Sequence, residues 1–139
     1  MDIGVLRRDG RTDPFFDGTA AGRLVVRRCA ACDRWLAPDA GGCPGCGDED
    51  PGWAEASGAA TLVTWTVTHG RPAGDGTVPP PAVLALVELA EGPWLHARLD
   101  AADPAALRGR LREGLPLTAV FVPTEQGEAH LLFRPEQGD

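Results

Sequence analysis

A chain of 139 residues, 43% hydrophobic and 24% charged, has the composition of a soluble globular protein with one ordinary domain or two very small ones. Its net charge is −7, carried by thirteen arginines, no lysine and twenty acids, and a field of that sign repels a phosphate backbone, which argues against DNA or RNA as a partner. No apolar run approaches the ~20 residues of a membrane span, and the start, MDIGVLRRDGRTDPFF, lacks the apolar core of a signal peptide, so the expected location is the cytoplasm, away from membranes.

Residues 1–12 read as a flexible arm. Asp13-Pro14 then has the form of an N-cap followed by proline at the first helical position, and FFDGTAA continues as a short helix that stops at Gly22. Gly18 sits awkwardly inside it, because glycine is a poor helix former. RLVVRRC leads into a cysteine pair as a strand and RWLAP leaves it, which together predict a hairpin. The turn-rich stretch GDEDPG marks the end of this first unit, residues 13–56.

All four cysteines lie in that unit, as Cys29-x-x-Cys32 and Cys43-x-x-Cys46. A two-residue spacer lets both sulfurs of a pair reach one ion at ~2.3 Å, and two such knuckles complete a tetrahedral S₄ set. Gly45 and Gly47 suit the positive-φ turns that knuckles require. In a reducing compartment this spacing predicts one zinc per chain, in preference to rubredoxin-type iron or two disulfides. Four protein sulfurs leave no open position on the metal, so its role is structural.

From residue 57 to 139 the pattern is β. In TLVTWTVTH, Val63, Trp65 and Val67 alternate with threonines; GRPAGDGTVPPP is a long Gly/Pro loop; AVLALVEL reads as a strand buried on both faces. WLHARLD alternates Leu95, Ala97 and Leu99 against Trp94, His96 and Arg98. DPAALRGRLREG predicts a short helix capped by Asp103, and LPLTAVFV and EAHLLFR are two further strands. Three strands, a helix and two strands is the arrangement of a five-stranded, partly open OB-fold barrel. The expected fold class is therefore mostly β: an N-terminal helix and rubredoxin-like zinc ribbon followed by an OB-fold.

The inventory of catalysts is thin, with one serine, no tyrosine and every cysteine assigned to metal. Ser57 reads as a turn hydroxyl, and His96 and His130 as solvent-face or rim side chains on strands. His69, where a strand opens into the long loop, is a better candidate for function. Arg23, Arg27, Arg28 and Arg34 cluster around the first cysteine pair. They balance an anionic tetrathiolate site, or they hold a phosphorylated ligand with Phe15, Phe16 and Trp35 as its apolar wall.

The ordered set FFDGTAAGRLVVRRCAACDRWLAPDAGGCPGCG, SGAATLVTWTVTHG, PPPAVLALVELAEGPWLHARLD, LREGLPLTAVF and LLFRP resembles the DUF35-type zinc-ribbon/OB-fold proteins across residues 13–135. Three positions depart from that pattern. Asp33 stands where the family usually has glycine, LAPDAGGC lacks the usual aromatic and basic residues, and Ala82 replaces a frequent tyrosine. The resemblance implies acyl-CoA metabolism and a non-catalytic accessory role beside a thiolase-like enzyme: a thiolase, an acyltransferase or an aldolase of the sterol-carrier-thiolase type. Acyl-CoA contacts are then expected at Arg27, Arg28, Arg34, Phe15, Phe16 and His69. A free-standing acyl-CoA carrier is the alternative reading, and an OB-fold nucleic-acid binder a more distant one.

Overall fold

The structure is a computed structural model that describes residues 5–100 and 104–136. Helix α1 (Asp13–Ala20) begins one residue earlier than the sequence predicts: Thr12 is the N-cap, and Asp13 lies in the first turn, where a carboxylate suits the positive end of the helix dipole. Gly22, at φ +74, ends the helix as expected, with the Arg23 N–H donating back to the Gly18 carbonyl at 2.8 Å. Gly18 is explained by packing. A Cβ there would stand 2.7 Å from the Val25 Cγ2 and 2.8 Å from the Arg23 carbonyl, so glycine lets the helix lie directly on the next strand.

That strand, β1 (Val25–Arg28), pairs with β2 (Trp35–Leu36) as the predicted hairpin, and also with β3 (Gly52–Glu55), giving a sheet of order β2-β1-β3. Strand β3 was not legible in the sequence, since GWAE offers no sustained alternation after a run of turn residues. The barrel follows as β4 (Ala59–Thr68), β5 (Ala82–Leu89), β6 (Trp94–Leu99), α2 (Pro104–Arg108), β7 (Pro116–Val122) and β8 (His130–Pro135), closed in the order β4-β5-β6-β8-β7. Asp103, the expected cap of α2, lies outside the described residues.

Closure is uneven. Strands β5 and β6 pair at five positions, from Leu84–Arg98 to Glu88–Trp94, whereas β6 and β8 meet in parallel at only two, Arg98–Leu132 and Leu99–Phe133. Below those pairs the two strands splay apart. Leu62, Val87, Leu99, Leu117 and Phe133 fill the barrel, and Leu24, Val26 and Ala56 from the ribbon side belong to the same cluster, so one continuous core joins the two halves.

Several expectations change on contact with the structure. Strand β4 is bulged between Leu62 and Thr64, which takes Val63 out of the alternation and leaves Trp65, opposite buried Ala85, still 36% exposed. Strand β5 is buried on one face only, with Leu84 and Glu88 exposed on the other. His130 is not solvent-facing: it is 3% exposed, and neither ring nitrogen has a hydrogen-bond partner among the described residues. Residues 5–12 are tied down, because the Glu128 N–H donates to the Leu6 carbonyl at 2.8 Å and Arg8 pairs with Glu128 at 2.7 Å and Asp17 at 2.8 Å.

Two substitutions check this packing. Gly18→Ala gains helix propensity yet destabilises the protein by about 1–3 kcal/mol in chemical unfolding, because the helix must move off β1. His130→Leu, which removes two unpartnered polar atoms, leaves the thermal midpoint unchanged or raises it.

Candidate metal centre and adjoining cleft

The two knuckles have the same backbone. In the first, the Asp33 N–H donates to the Cys29 carbonyl at 2.7 Å, and the Cys29 N–H to the Arg34 carbonyl at 2.8 Å; in the second, Gly47 donates to Cys43 at 2.9 Å and Cys43 to Asp48 at 2.8 Å. Four residues after the leading cysteine the chain turns left-handed in both, at φ +62 for Asp33 and φ +83 for Gly47. Gly47 meets the sequence expectation. Gly45 does not have positive φ; the Arg34 guanidinium lies over it, with Nε 2.6 Å from where a Cβ would stand. Asp33, which replaces the family's usual glycine, adopts the glycine conformation, one that aspartate tolerates better than most residues.

Cys29, Cys32, Cys43 and Cys46 bring their sulfurs within 4.8 Å of one another, with Cys29–Cys46 and Cys32–Cys43 each at 3.5 Å. A tetrahedron with ~2.3 Å zinc–sulfur bonds has edges of about 3.8 Å, so the cluster fits one ion. Without an ion the four thiols titrate apart. The backbone N–H of Cys46 holds the Cys43 thiol down to about 7, the state a metal ligand needs. The Asp48 N–H favours the Cys46 thiolate, but neighbouring Cys29 and burial outweigh it and push that thiol up to about 12. Only a cation lets all four ionise together. Cys29 and Cys43 are buried while Cys32 and Cys46 are exposed, so the site lies at the ribbon surface.

The predicted ligand residues fall into two groups. Arg27 is a structural clamp: one terminal nitrogen donates to the Ala40 carbonyl at 2.9 Å, the other to Asp50 at 2.9 Å and to the Pro51 carbonyl, and the guanidinium lies 4.9 Å over the Trp53 ring. Arg28 stacks 4.7 Å over Trp35 and meets Asp33 at 4.0 Å, a distance at which an exposed pair contributes little. Phe15 and Phe16 pack edge to face at 5.1 Å and wall a cleft of about 310 Å³. The cleft lies between α1, the 38–39 segment and the splayed β6–β8 seam, where Trp94, Leu95, His96 and Leu131 complete it. His69 is exposed beyond β4 and lines no part of it. Its place is taken by His96, whose alternation in WLHAR marked it as outward-facing but not as part of a cleft.

The metal centre generates two predictions. Purified protein carries one zinc per chain by elemental analysis, and Cys43→Ser yields metal-poor or insoluble protein, since structural zinc binding is itself folding free energy. Asp33→Gly relieves a left-handed aspartate and raises stability by about 0.5–1 kcal/mol with zinc content unchanged.

Two family models cover most of the chain. Residues 16–52 match the ChsH2 rubredoxin-like zinc ribbon domain, and residues 53–122 match the ChsH2 C-terminal OB-fold domain. Among solved structures, the Ltp2-ChsH2(DUF35) aldolase matches with a TM-score of 0.75 and 30% identity, over 92% of this chain and 96% of that one. A DUF35-family protein of unknown function from Sulfolobus solfataricus shares the fold, at TM-score 0.59 and 16% identity over 89% of this chain and 84% of that one. A probable enoyl-CoA hydratase alpha subunit from Thermomonospora curvata is 31% identical over 121 residues, 87% of this chain, but the chain spans only 36% of that relative's length. The paired knuckles, the ribbon sheet and the five-stranded barrel are thus the parts of one known assembly, and the chain belongs to the ChsH2-type DUF35 family, in which a zinc ribbon is joined to an OB-fold.

Proposed function

We propose that this chain is a non-catalytic subunit of a thiolase-fold enzyme and helps to retain or position acyl-CoA for it. The observation that carries this reading is the agreement in both sequence and fold with the DUF35 chain of the Ltp2-ChsH2(DUF35) aldolase over nearly that whole chain. The relative named as a hydratase subunit supports the same chemical class, since its substrate is a CoA thioester.

The residues agree with a supporting role. The zinc is closed by four sulfurs and offers no position for substrate. The Ser57 hydroxyl accepts the Ala59 N–H at 3.2 Å, a turn contact rather than a nucleophile–base pair. Arg28 and Arg34, on the ribbon and less constrained than Arg27, are the cations for the anionic end of CoA. The 69–81 loop, closed at its base where Gly70 meets Pro79, is the segment for docking on the partner, and His69 sits at its entrance.

The reading is tested by co-expression with a thiolase-fold enzyme encoded beside it, followed by co-purification and an activity assay on acyl-CoA. The pair elutes together, and activity falls at least tenfold without this chain. In the complex, the double variant Arg28→Ala/Arg34→Ala raises the KM for acyl-CoA about five- to tenfold while kcat stays within about twofold, as loss of uniform binding does. Shortening the 69–81 loop weakens the complex itself. Tight acyl-CoA binding by this chain with no stable partner would instead favour the free-standing carrier, and an unchanged KM in an intact complex would show that the arginines only balance the zinc–thiolate charge.

A further inference from the structure

The connection between β4 and β5 is longer than a hairpin turn needs, yet it is closed on itself at three levels. At its base the Thr68 hydroxyl donates to the Ala82 carbonyl at 3.3 Å. Above that, Gly70 lies under the Pro79 ring, where a Cβ would collide with the ring carbons. At the tip the Ala73 N–H donates to the Thr77 carbonyl at 2.7 Å and the Gly76 N–H to the Ala73 carbonyl at 2.9 Å. Asp75 accepts from both the N–H and the hydroxyl of Thr77. The segment is therefore a two-legged extension of the β4–β5 hairpin, with legs 69–73 and 77–81.

The second leg carries Val78-Pro79-Pro80-Pro81. Val78, Pro79 and Pro80 each precede a proline, which keeps them out of the helical region, and each ring fixes its own φ at about −65°. The leg is therefore a short polyproline II strip. Val78 is 63% exposed, the most exposed of the large apolar side chains described, and Pro79 and Pro80 are exposed beside it. Three consecutive residues without an N–H cannot extend a partner's sheet by strand pairing. What the leg offers is ring faces and carbonyl acceptors. The charges of Arg71 and Asp75 cancel within the loop, so neither an acidic nor a basic partner surface is selected.

We propose that the 78–81 leg docks as a preformed polyproline II strip, anchored by Val78, in an aromatic-lined groove on the partner subunit. The inference rests on the accessory-subunit reading above for the identity of the partner, and adds the chemistry of the face that receives the loop. Trp or Tyr rings there pack against the proline rings and donate N–H or O–H to the strip's carbonyls, as polyproline recognition requires. The closed frame of the loop holds the strip in its docking conformation before the encounter, so little order is lost on binding.

The test uses the full zinc-loaded chain and the thiolase-fold enzyme encoded beside it, with the affinity of the complex as readout. Val78→Asp, and separately Pro79→Ala/Pro80→Ala, keep the loop's length, the zinc content and the thermal midpoint, and each weakens the complex about tenfold or more, as loss of an anchor does. Asp75→Ala loosens the tip without removing any docking atom, and weakens the complex about two- to fivefold. A benzophenone side chain in place of Val78 cross-links to a partner peptide that contains Trp or Tyr. Unchanged affinity in both the Val78 and the double proline variants, or a cross-link to a partner segment without Trp or Tyr, overturns the docking assignment and leaves the accessory-subunit reading standing. Absence of any complex between the wild-type chains overturns both.

Discussion

Four sulfur atoms gathered within 4.8 Å cannot all ionise without a cation among them, because thiolates so close disfavour one another's charge. The metal resolves this conflict, and the ribbon depends on the resolution. Residues 29–50 contain only the two-residue strand β2 and little apolar material; Cys29, Leu36 and Cys43 form its small buried cluster. A segment so poor in core is held by its ion rather than by hydrophobic burial. What hangs on the ribbon is more than local. Strand β1 carries Val26 into the barrel's core, and Arg27 of the same strand clamps the 40–51 segment from the other side. The 38–39 segment, which walls the cleft, leaves directly from β2.

The cleft exists because neither half of the chain is complete alone. A barrel whose β6 and β8 pair at two positions leaves a shallow slot there, lined by apolar side chains. Helix α1 covers that slot, and its seat on β1 is fixed by the absence of a side chain at Gly18. The ribbon therefore sets the position of the helix, and the helix sets the width of the cleft.

Much of this was legible in the sequence because the signals were local. Cysteine spacing specified the metal site, Asp-Pro and Gly22 bracketed α1, and alternation in WLHARLD gave the two faces of β6 correctly. The failures were of a different kind. Strand β3 has no periodicity of its own and forms only because β1 offers it an edge. The bulge at Val63 is invisible in a run of alternating residues, since it depends on what β5 presents opposite. His130 alternates with apolar neighbours as a surface histidine would, and its burial is decided by distant chain. Phe15 and Phe16 were identified as an apolar wall, but Trp94, His96 and Leu131 join them only through the β6–β8 splay, a tertiary fact with no sequence signature.

Closure of the barrel restricts how such a protein can recognise anything. In a closed sheet nearly every backbone group is paired, so strand addition at an open edge is not available to a partner. Recognition is left to outward side chains, to the 69–81 loop and to the seam. These differ in character: the loop is polar, exposed and stiffened by prolines, whereas the cleft at the seam is small and mostly aromatic and apolar, with Asp39 at its margin. A broad polar loop and a narrow aromatic cleft thus offer contacts of different chemistry at different places on one barrel.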